Sequence, residues 1–320
     1  MKGYKGFDKG LKCKGFQYEV GKTFKHKGEI KLCDSGFHFC ESPLDVFDYY
    51  DICESEFAEI EAVGDIKKDT SKSVTNHIKV VKKIALKDFI EAGIDYIRTV
   101  CKAGYGATNA SSGNYATNAS SGDGATNASS GYRAKNASSG YGATNASSGN
   151  YATNASSGLG ATNASSGNGA TNASSGYYAK NASSGNYAKN ASSGDYAKNA
   201  SSGDGATNAS SGNGATNASS GDGATNASSG YGATNASSGD YAKNASSGDY
   251  AKIVMTGKNN VGAAIGRDSR IKGLKGNWIT LAEYDDNGIC ICVKSSKIDG
   301  KKIKENVWYE LKKGKFSEVK

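Results

Sequence analysis

Gly104-Tyr-Gly-Ala-Thr-Asn-Ala-Ser-Ser112 is followed by Gly113-Asn-Tyr-Ala-Thr-Asn-Ala-Ser-Ser121, and the nine-residue phrase then recurs without a break to Ser247. Sixteen full copies result. Self-similarity at a short fixed period marks a stacked solenoid, in which each unit buries its faces against its neighbours. Counting each copy from its glycine as position 0, six positions never vary: Gly at 0, Ala at 3, Asn at 5, Ala at 6 and Ser at 7 and 8. Only positions 1, 2 and 4 change.

Invariant positions are those that see identical neighbours above and below. Ala at 3 lies between variable residues, so it is expected to point inward while they point out. The second Ala is expected to point in as well. Asn at 5 is expected to stack as a ladder of side-chain amides at a bend. Gly at 0 is read as the residue that permits a left-handed or sharply turned backbone. One nonad is too short to encircle even a small core, which favours two nonads per coil. The array would then form about eight coils and a rod roughly 40 Å long, at about 4.8 Å per coil. A core of Ala and Ser buries little apolar area at about 25 cal/mol per Å². Hydrogen bonds between coils must therefore carry much of the stability.

The fold expected for the whole chain is mainly β. Residues 104–252 form the solenoid, and residues 253–270 form degenerate capping coils. There the glycine spacing persists at Gly257 and Gly266, but Ile253, Val254, Met255, Val261 and Ile265 replace the small core as an apolar plug. Residues 271–320 read as a C-terminal β-meander, with strands at Trp278–Tyr284, Ile289–Val293, Val307–Leu311 and Lys315–Val319. Asp286-Asn-Gly288, Asp299-Gly300 and Lys313-Gly314 supply its turns. Residues 1–103 read as an α+β domain capping the other end. Strands are expected at Phe16–Val20, Phe37–Cys40, Phe57–Val63 and His77–Ile84. A helix capped by Ser42, with Pro43 at its first position and Asp45 completing a capping box, would bury Leu44, Phe47 and Tyr50. A second, Ala85–Arg98, spaces Leu86, Phe89, Ile90, Ile94 and Ile97 along one face.

Charge and cysteine usage narrow the function. The net charge is +8, but residues 1–103 carry 18 Lys/Arg against 17 Asp/Glu, residues 104–252 carry 7 against 6, and residues 253–320 carry 14 against 8. A near-neutral array argues against an extended nucleic-acid track. No leading apolar segment and no run of eighteen apolar residues exists, so a protein without signal peptide or membrane span is expected. Seven cysteines, none in a CxxC and none in the repeats, suggest reduced thiols in a cytoplasm. On that reading the Asn-Ala-Ser sequon in every repeat is a by-product of the structural repeat.

The variable positions are coupled. Wherever position 2 is Gly, position 4 is Thr, as in Gly106/Thr108 and Gly124/Thr126. Wherever position 4 is Lys, position 2 is aromatic or Arg. Read as neighbours on one strand face, Tyr and Lys would lie along each other, a contact worth about 0.5–1 kcal/mol. The candidate binding face is Arg133, Lys135, Tyr178, Lys180, Tyr187, Lys189, Tyr196, Lys198, Tyr241 and Lys243. Its expected ligand is a protein, with a glycan or a nucleotide as alternatives. Exposed strand positions of any solenoid also accept Tyr, Thr and Lys, and duplication of two ancestral units would produce the same coupling.

No catalytic, cofactor or metal motif stands out. A zinc tetrad of Cys33, His38, Cys40 and Cys53 has no familiar spacing, and Cys290 and Cys292 read as packing residues of one strand. An ice-binding column of Thr108, Thr126, Thr144 and Thr162 is interrupted by Lys180 and Lys198. Calcium-binding nonapeptides would need Asp that most copies lack.

Both ends of the chain resemble known sequences. Lys2-Gly-Tyr-Lys-Gly-Phe-Asp8, Gly15-Phe-Gln-Tyr-Glu-Val-Gly-Lys22 and the run from Ser35 to Tyr50 resemble a family of uncharacterised bacterial and bacteriophage proteins, as does Gly276-Asn-Trp-Ile-Thr-Leu-Ala-Glu283. That family joins a domain of unknown function to Asn-Ala-Ser-Ser-Gly repeats. The resemblance implies this architecture and a phage or prophage setting, and it transfers no catalytic residue. Gly36-Phe-His-Phe-Cys40 and the Ser-Pro helix after it also resemble one strand and helix of ADP-ribosyltransferase-like folds. No paired catalytic Arg and Glu accompany them. The reading is thus a non-enzymatic binding or scaffold solenoid, engaged in host interaction or counter-defence and able to pair side by side as a homo-oligomer. The rival is an enzymatic N-terminal domain with the solenoid as spacer.

Overall fold

The computed structural model describes residues 1–69, 71–100 and 106–319, and it divides into two compact units, residues 1–103 and 104–320. The side chain of Ile97, Cys101 and the first two residues of the array lie outside the described residues. The protein is mainly β, with 46% strand and 6% helix, and the solenoid makes about 10 turns from residue 108 to 281.

Each described copy contributes one four-residue strand at positions 4 to 7. Strands pair in parallel with the copy two places on, as in Thr126↔Thr144 and Asn127↔Asn145. One coil is therefore two nonads, and odd and even copies build two separate sheets. Thr108, Thr126, Thr144 and Thr162 fall in one register column that continues into Lys180.

In the odd-copy sheet the strand Thr/Lys-Asn-Ala-Ser alternates out, in, out, in, so Asn and Ser face the core and the second Ala faces outward. In the odd-copy sheet Ala128, Ala146 and Ala164 are half-exposed beside buried Asn127, Asn145 and Asn163. The expectation that both alanines are buried is thus corrected for the odd-copy sheet, where the strand starts at position 4 and parity gives the interior to 5 and 7, whereas in the even-copy sheet Ala119, Ala137, Ala155, Ala173 and Ala191 are buried. Ala at 3, on the turn before the strand, is fully buried from Ala125 to Ala251. The asparagines do stack, but along the strand rather than at a bend. Asn190 donates to Ser183 Oγ at 2.9 Å, to the Ala200 carbonyl at 2.9 Å and to Asn208 Oδ1 at 2.8 Å, and its own Oδ1 accepts from Asn172 at 2.9 Å. Two continuous amide ladders result, Asn109 to Asn235 and Asn118 to Asn244. Each bond is worth about 0.5–1.5 kcal/mol net, and each buried amide left unmade would cost about 1–3 kcal/mol. Most of these asparagines are fully buried, so in the folded array their amides are committed to the ladder.

Two glycine positions do different work. At position 0 the reason is close approach: a Cβ on Gly194 would stand 2.0 Å from the Gly176 carbonyl oxygen of the coil before. The left-handed turn belongs instead to position 2. Every described copy has positive φ there, whether the residue is Gly124 (φ 67), Arg133 (φ 53) or Tyr187 (φ 56).

The polar core ends where the repeat ends. Ile253 pairs in register with Asn235, Met255 with Ser237 and Ala264 with Ser246. They join Ile271, Ile279, Leu281, Ile298, Ile303, Tyr309 and Leu311 in one apolar cluster. Of the five residues expected in the plug only Ile253 and Met255 are inside. Val254 is half-exposed, and Val261 and Ile265 face solvent, because the out-in alternation of the repeats continues here. Coil register also runs past 270 into Arg270–Gly273 and Trp278–Tyr284. Each parallel sheet then closes with antiparallel strands, Cys290–Lys297 on the even-copy sheet and Trp308–Lys312 followed by Lys315–Val319 on the odd-copy sheet.

The N-terminal unit is built on a four-stranded antiparallel sheet in the order Lys2–Phe7, Glu56–Ala62, His77–Ile84, Thr23–Lys25. A smaller sheet pairs Phe37–Phe39, Ser73–Thr75 and Ile66–Lys68. Phe16–Gln17 is only a two-residue strand against Lys12–Cys13, shorter than expected. Pro43–Asp48 is a 3₁₀ turn that buries Pro43, Leu44 and Val46, and Ser42 makes no side-chain cap bond. The helix Leu86–Val100 buries Phe89, Ile90 and Ile94 as its spacing requires.

Candidate functional site

The tyrosines of the array stand on turns, not on strand faces. Position 2 immediately precedes Ala at 3, and its left-handed backbone swings the side chain outward. Tyr187 and Tyr241 are 70% and 64% exposed. Copy parity divides the expected face. Tyr178, Lys180, Tyr196 and Lys198 belong to the odd-copy sheet, whereas Arg133, Lys135, Tyr187, Lys189, Tyr241 and Lys243 belong to the even-copy sheet. The sequence reading of one continuous face is therefore corrected to two, for the geometric reason that successive nonads lie on different sheets.

Ring partners differ too. Tyr178 stacks on Tyr196, with centroids 5.3 Å apart and planes at 20°, and Tyr177 meets both edge-on at 4.8 and 5.5 Å. Arg133 lies over Tyr132 and Tyr151 at 5.5 and 6.0 Å. Where the coil above has Gly, the ring lies across it: a Cβ on Gly205 would meet the Tyr187 ring at 2.8 Å. Nothing in these contacts explains why Lys at 4 accompanies Tyr at 2. Position 1 has a purpose the sequence did not reveal. Its Asn or Asp side chain accepts the backbone N–H of position 1 in the next coil, as Asp204 does from Asp222 at 3.0 Å.

Along the odd-copy sheet the outward alanines and the serines at 7 and 8 line a shallow trough of about 1310 Å³, from Ala110 to Thr256. It is uniform and carries no charged group.

A different chemistry lies in the N-terminal unit, where a cleft of about 1010 Å³ includes Lys5, Cys13, Phe16, Tyr18, His38, Tyr49, Tyr50 and Lys72. Its floor is set by the first strand. A Cβ on Gly6 would stand 2.3 Å from the Tyr50 ring, so glycine lets that ring lie against the strand. Tyr50 Oη then accepts from Lys5 Nζ at 2.9 Å and shares a hydrogen bond with Cys13 Sγ at 3.2 Å. Lys5 is 3% exposed, and its ammonium faces the rings of Tyr50, Phe7 and Tyr18 at 5.3, 5.4 and 6.0 Å. Burial pulls its pKa below the ordinary lysine value. His38 Nε2 accepts the Cys33 backbone N–H at 2.9 Å. Burial first, then the charges of Lys5 and Lys72, hold that imidazole below its usual pKa. Lys72 lies over the Tyr49 ring at 4.9 Å.

Residues 1–92 match a family described as Domain of unknown function (DUF7666). An N-terminal DUF7666 domain is thus followed by a repeat solenoid. No curated protein and no solved structure matches the chain.

Within the DUF7666 domain the structure does not assemble Cys33, His38, Cys40 and Cys53 as ligands. His38 Nε2 is occupied by a backbone donor, and no cluster suited to a metal ion occurs among the described residues. Among those residues no helix is long and apolar enough to cross a membrane. Sequence reading named His38 only within the zinc tetrad and missed Lys5. The signal was parity, since Lys5 shares a strand face with the core residue Phe7.

Proposed function

We propose that this protein is a non-enzymatic scaffold whose solenoid presents tyrosines to a protein partner. One observation carries the reading. Position 2 requires a left-handed backbone, glycine satisfies it at nine copies, and yet Tyr115, Tyr151, Tyr178, Tyr187, Tyr196, Tyr241 and Tyr250 occupy it with φ of 55–59°. An L side chain there costs about 1–2 kcal/mol. The fold alone does not call for that cost, and the rings stay exposed, so recognition is the use that fits them. Tyrosine provides rigid, amphipathic contact area with little entropy to lose. The flanking Lys180, Lys198 and Lys243 are exposed and would complement an acidic rim on the partner.

The proposal extends to setting. The sequence resemblance at both ends supports a phage or prophage protein meeting a host protein in the bacterial cytoplasm, and the described cysteines, none of them in a disulfide, suit a reducing compartment. The test replaces Tyr178, Tyr187 and Tyr196 together by glycine in the full chain. Unchanged or raised melting temperature with loss of the captured host partner is the expected result. Retention of every partner by the variant overturns the reading.

A further inference from the structure

We propose that the cleft of the DUF7666 domain binds a small anion with a flat apolar body, its carboxylate or phosphate group seated against the Lys5 ammonium. The argument begins with an imbalance of charge. Lys5 is almost fully buried, and among the described residues no carboxylate stands within ion-pair distance of it. Its polar partners are the neutral Tyr50 hydroxyl and the Cys13 thiol, neither of them a carboxylate. Buried ammonium groups are ordinarily paired, because removing the charge from water is costly and only a counter-charge restores the balance. Here the missing counter-charge adjoins a cleft rather than packed protein.

The surroundings favour an anion at that point. Lys5, Lys72 and Lys14 all act on His38 in the same sense, disfavouring a further positive charge. Burial is the larger cause of that shift, and the three ammonium groups add a positive potential that a negative group would offset. The carboxylates on the lining do not fill the role. Asp8, Asp34 and Glu54 are exposed, and Asp51 accepts the Cys53 backbone N–H at 2.8 Å. His38 cannot supply the anion either, since its imidazole is held by the Cys33 and Gly36 backbones.

Ring placement defines the rest of the ligand. Phe16 and Tyr49 line the cleft while 45% and 40% exposed, unusual for aromatic residues in a domain with its own core. Phe16 is held edge-on by Tyr18 and Phe24 at 4.8 and 5.5 Å, which presents a fixed apolar wall. Lys72 over Tyr49 adds a cation beside the second wall. An anionic group at depth with a flat body between such walls is the shape that fits.

The experiment is calorimetric titration of the full chain with adenosine 5′-monophosphate, benzoate, inorganic phosphate and adenosine. Binding of the flat anions, with adenosine and free phosphate weaker by about tenfold or more, is expected. The ratio of adenosine 5′-monophosphate to benzoate tells phosphate from carboxylate. Lys5→Met should abolish anion binding while leaving the melting temperature equal or higher, since it removes an uncompensated buried charge. Should Lys5→Met fail to fold, the surface variants Lys72→Ala and Tyr49→Ala must each weaken binding severalfold. No binding of either flat anion at millimolar concentration, or binding unaffected by these variants, overturns the proposal.

Discussion

Gly221 and Gly223 are two residues apart and fail for unrelated reasons when changed. A Cβ on Gly221 would stand 2.2 Å from the Gly203 carbonyl oxygen, whereas around Gly223 nothing lies within 4 Å and only its φ of 66° resists a side chain. Chemical denaturation should therefore show a loss of about 1 kcal/mol for Gly223→Ala. Gly221→Ala should lose several times more, because backbone must move to relieve the contact. Equal losses would show that position 0 is not set by coil-to-coil approach. The asparagine ladder offers a second test. Asn190→Asp replaces a donor by an acceptor that faces Ser183 Oγ, the Ala200 carbonyl and Asn208 Oδ1. A loss of about 3 kcal/mol or more is expected at neutral pH, since both the desolvated charge and the orphaned acceptors weigh against folding. A change below about 1 kcal/mol would place the stability of the array elsewhere than in its amides.

Strand and sheet were legible in the repeat to the extent that periodicity encodes them. Period, coil length and the inward Ala at 3 followed from which positions are invariant. The inward set did not, since invariance marks a constant neighbourhood and not a direction: Ala at 6 is fixed yet half-exposed in odd copies such as Ala128 and Ala146, where the starting point of the strand decides it. The tyrosine pairs were misassigned to a strand face because a turn residue with positive φ and a strand residue look alike in sequence. Lys5 was hidden by its type, since a lysine in a charged opening segment reads as solvent-facing. At the C-terminal end the change from Asn235 and Ser237 to Ile253 and Met255 converts a polar ladder into an apolar seal. Ile271→Ala within that seal should cost about 2–4 kcal/mol in unfolding experiments. Truncation after Lys297 removes Ile298, Ile303, Tyr309 and Leu311 and bares the outer edge of Arg270–Gly273. Light scattering should then show self-association through the bared edge; a monomeric truncated protein would argue that the final strands do not protect it.

A stack whose coils touch only their neighbours tolerates changes of length. Deleting Gly203–Ser220, one full coil, should give a folded protein whose rod is about 4.8 Å shorter by small-angle scattering. Loss of cooperative folding on that deletion would contradict a quasi-one-dimensional molecule. Deleting only Gly203–Ser211 should also fold, since every nonad offers the same Gly, Ala, Asn and Ser to its neighbours. All downstream copies then exchange sheets, and Tyr241 moves to the side that carries Tyr178 and Tyr196. When near-identical tracts expand or contract by recombination, the progeny are thus sorted by parity. Even steps alter reach alone, while a single step reverses which way the far half of the molecule looks, giving a lineage a new outward pattern without any point mutation.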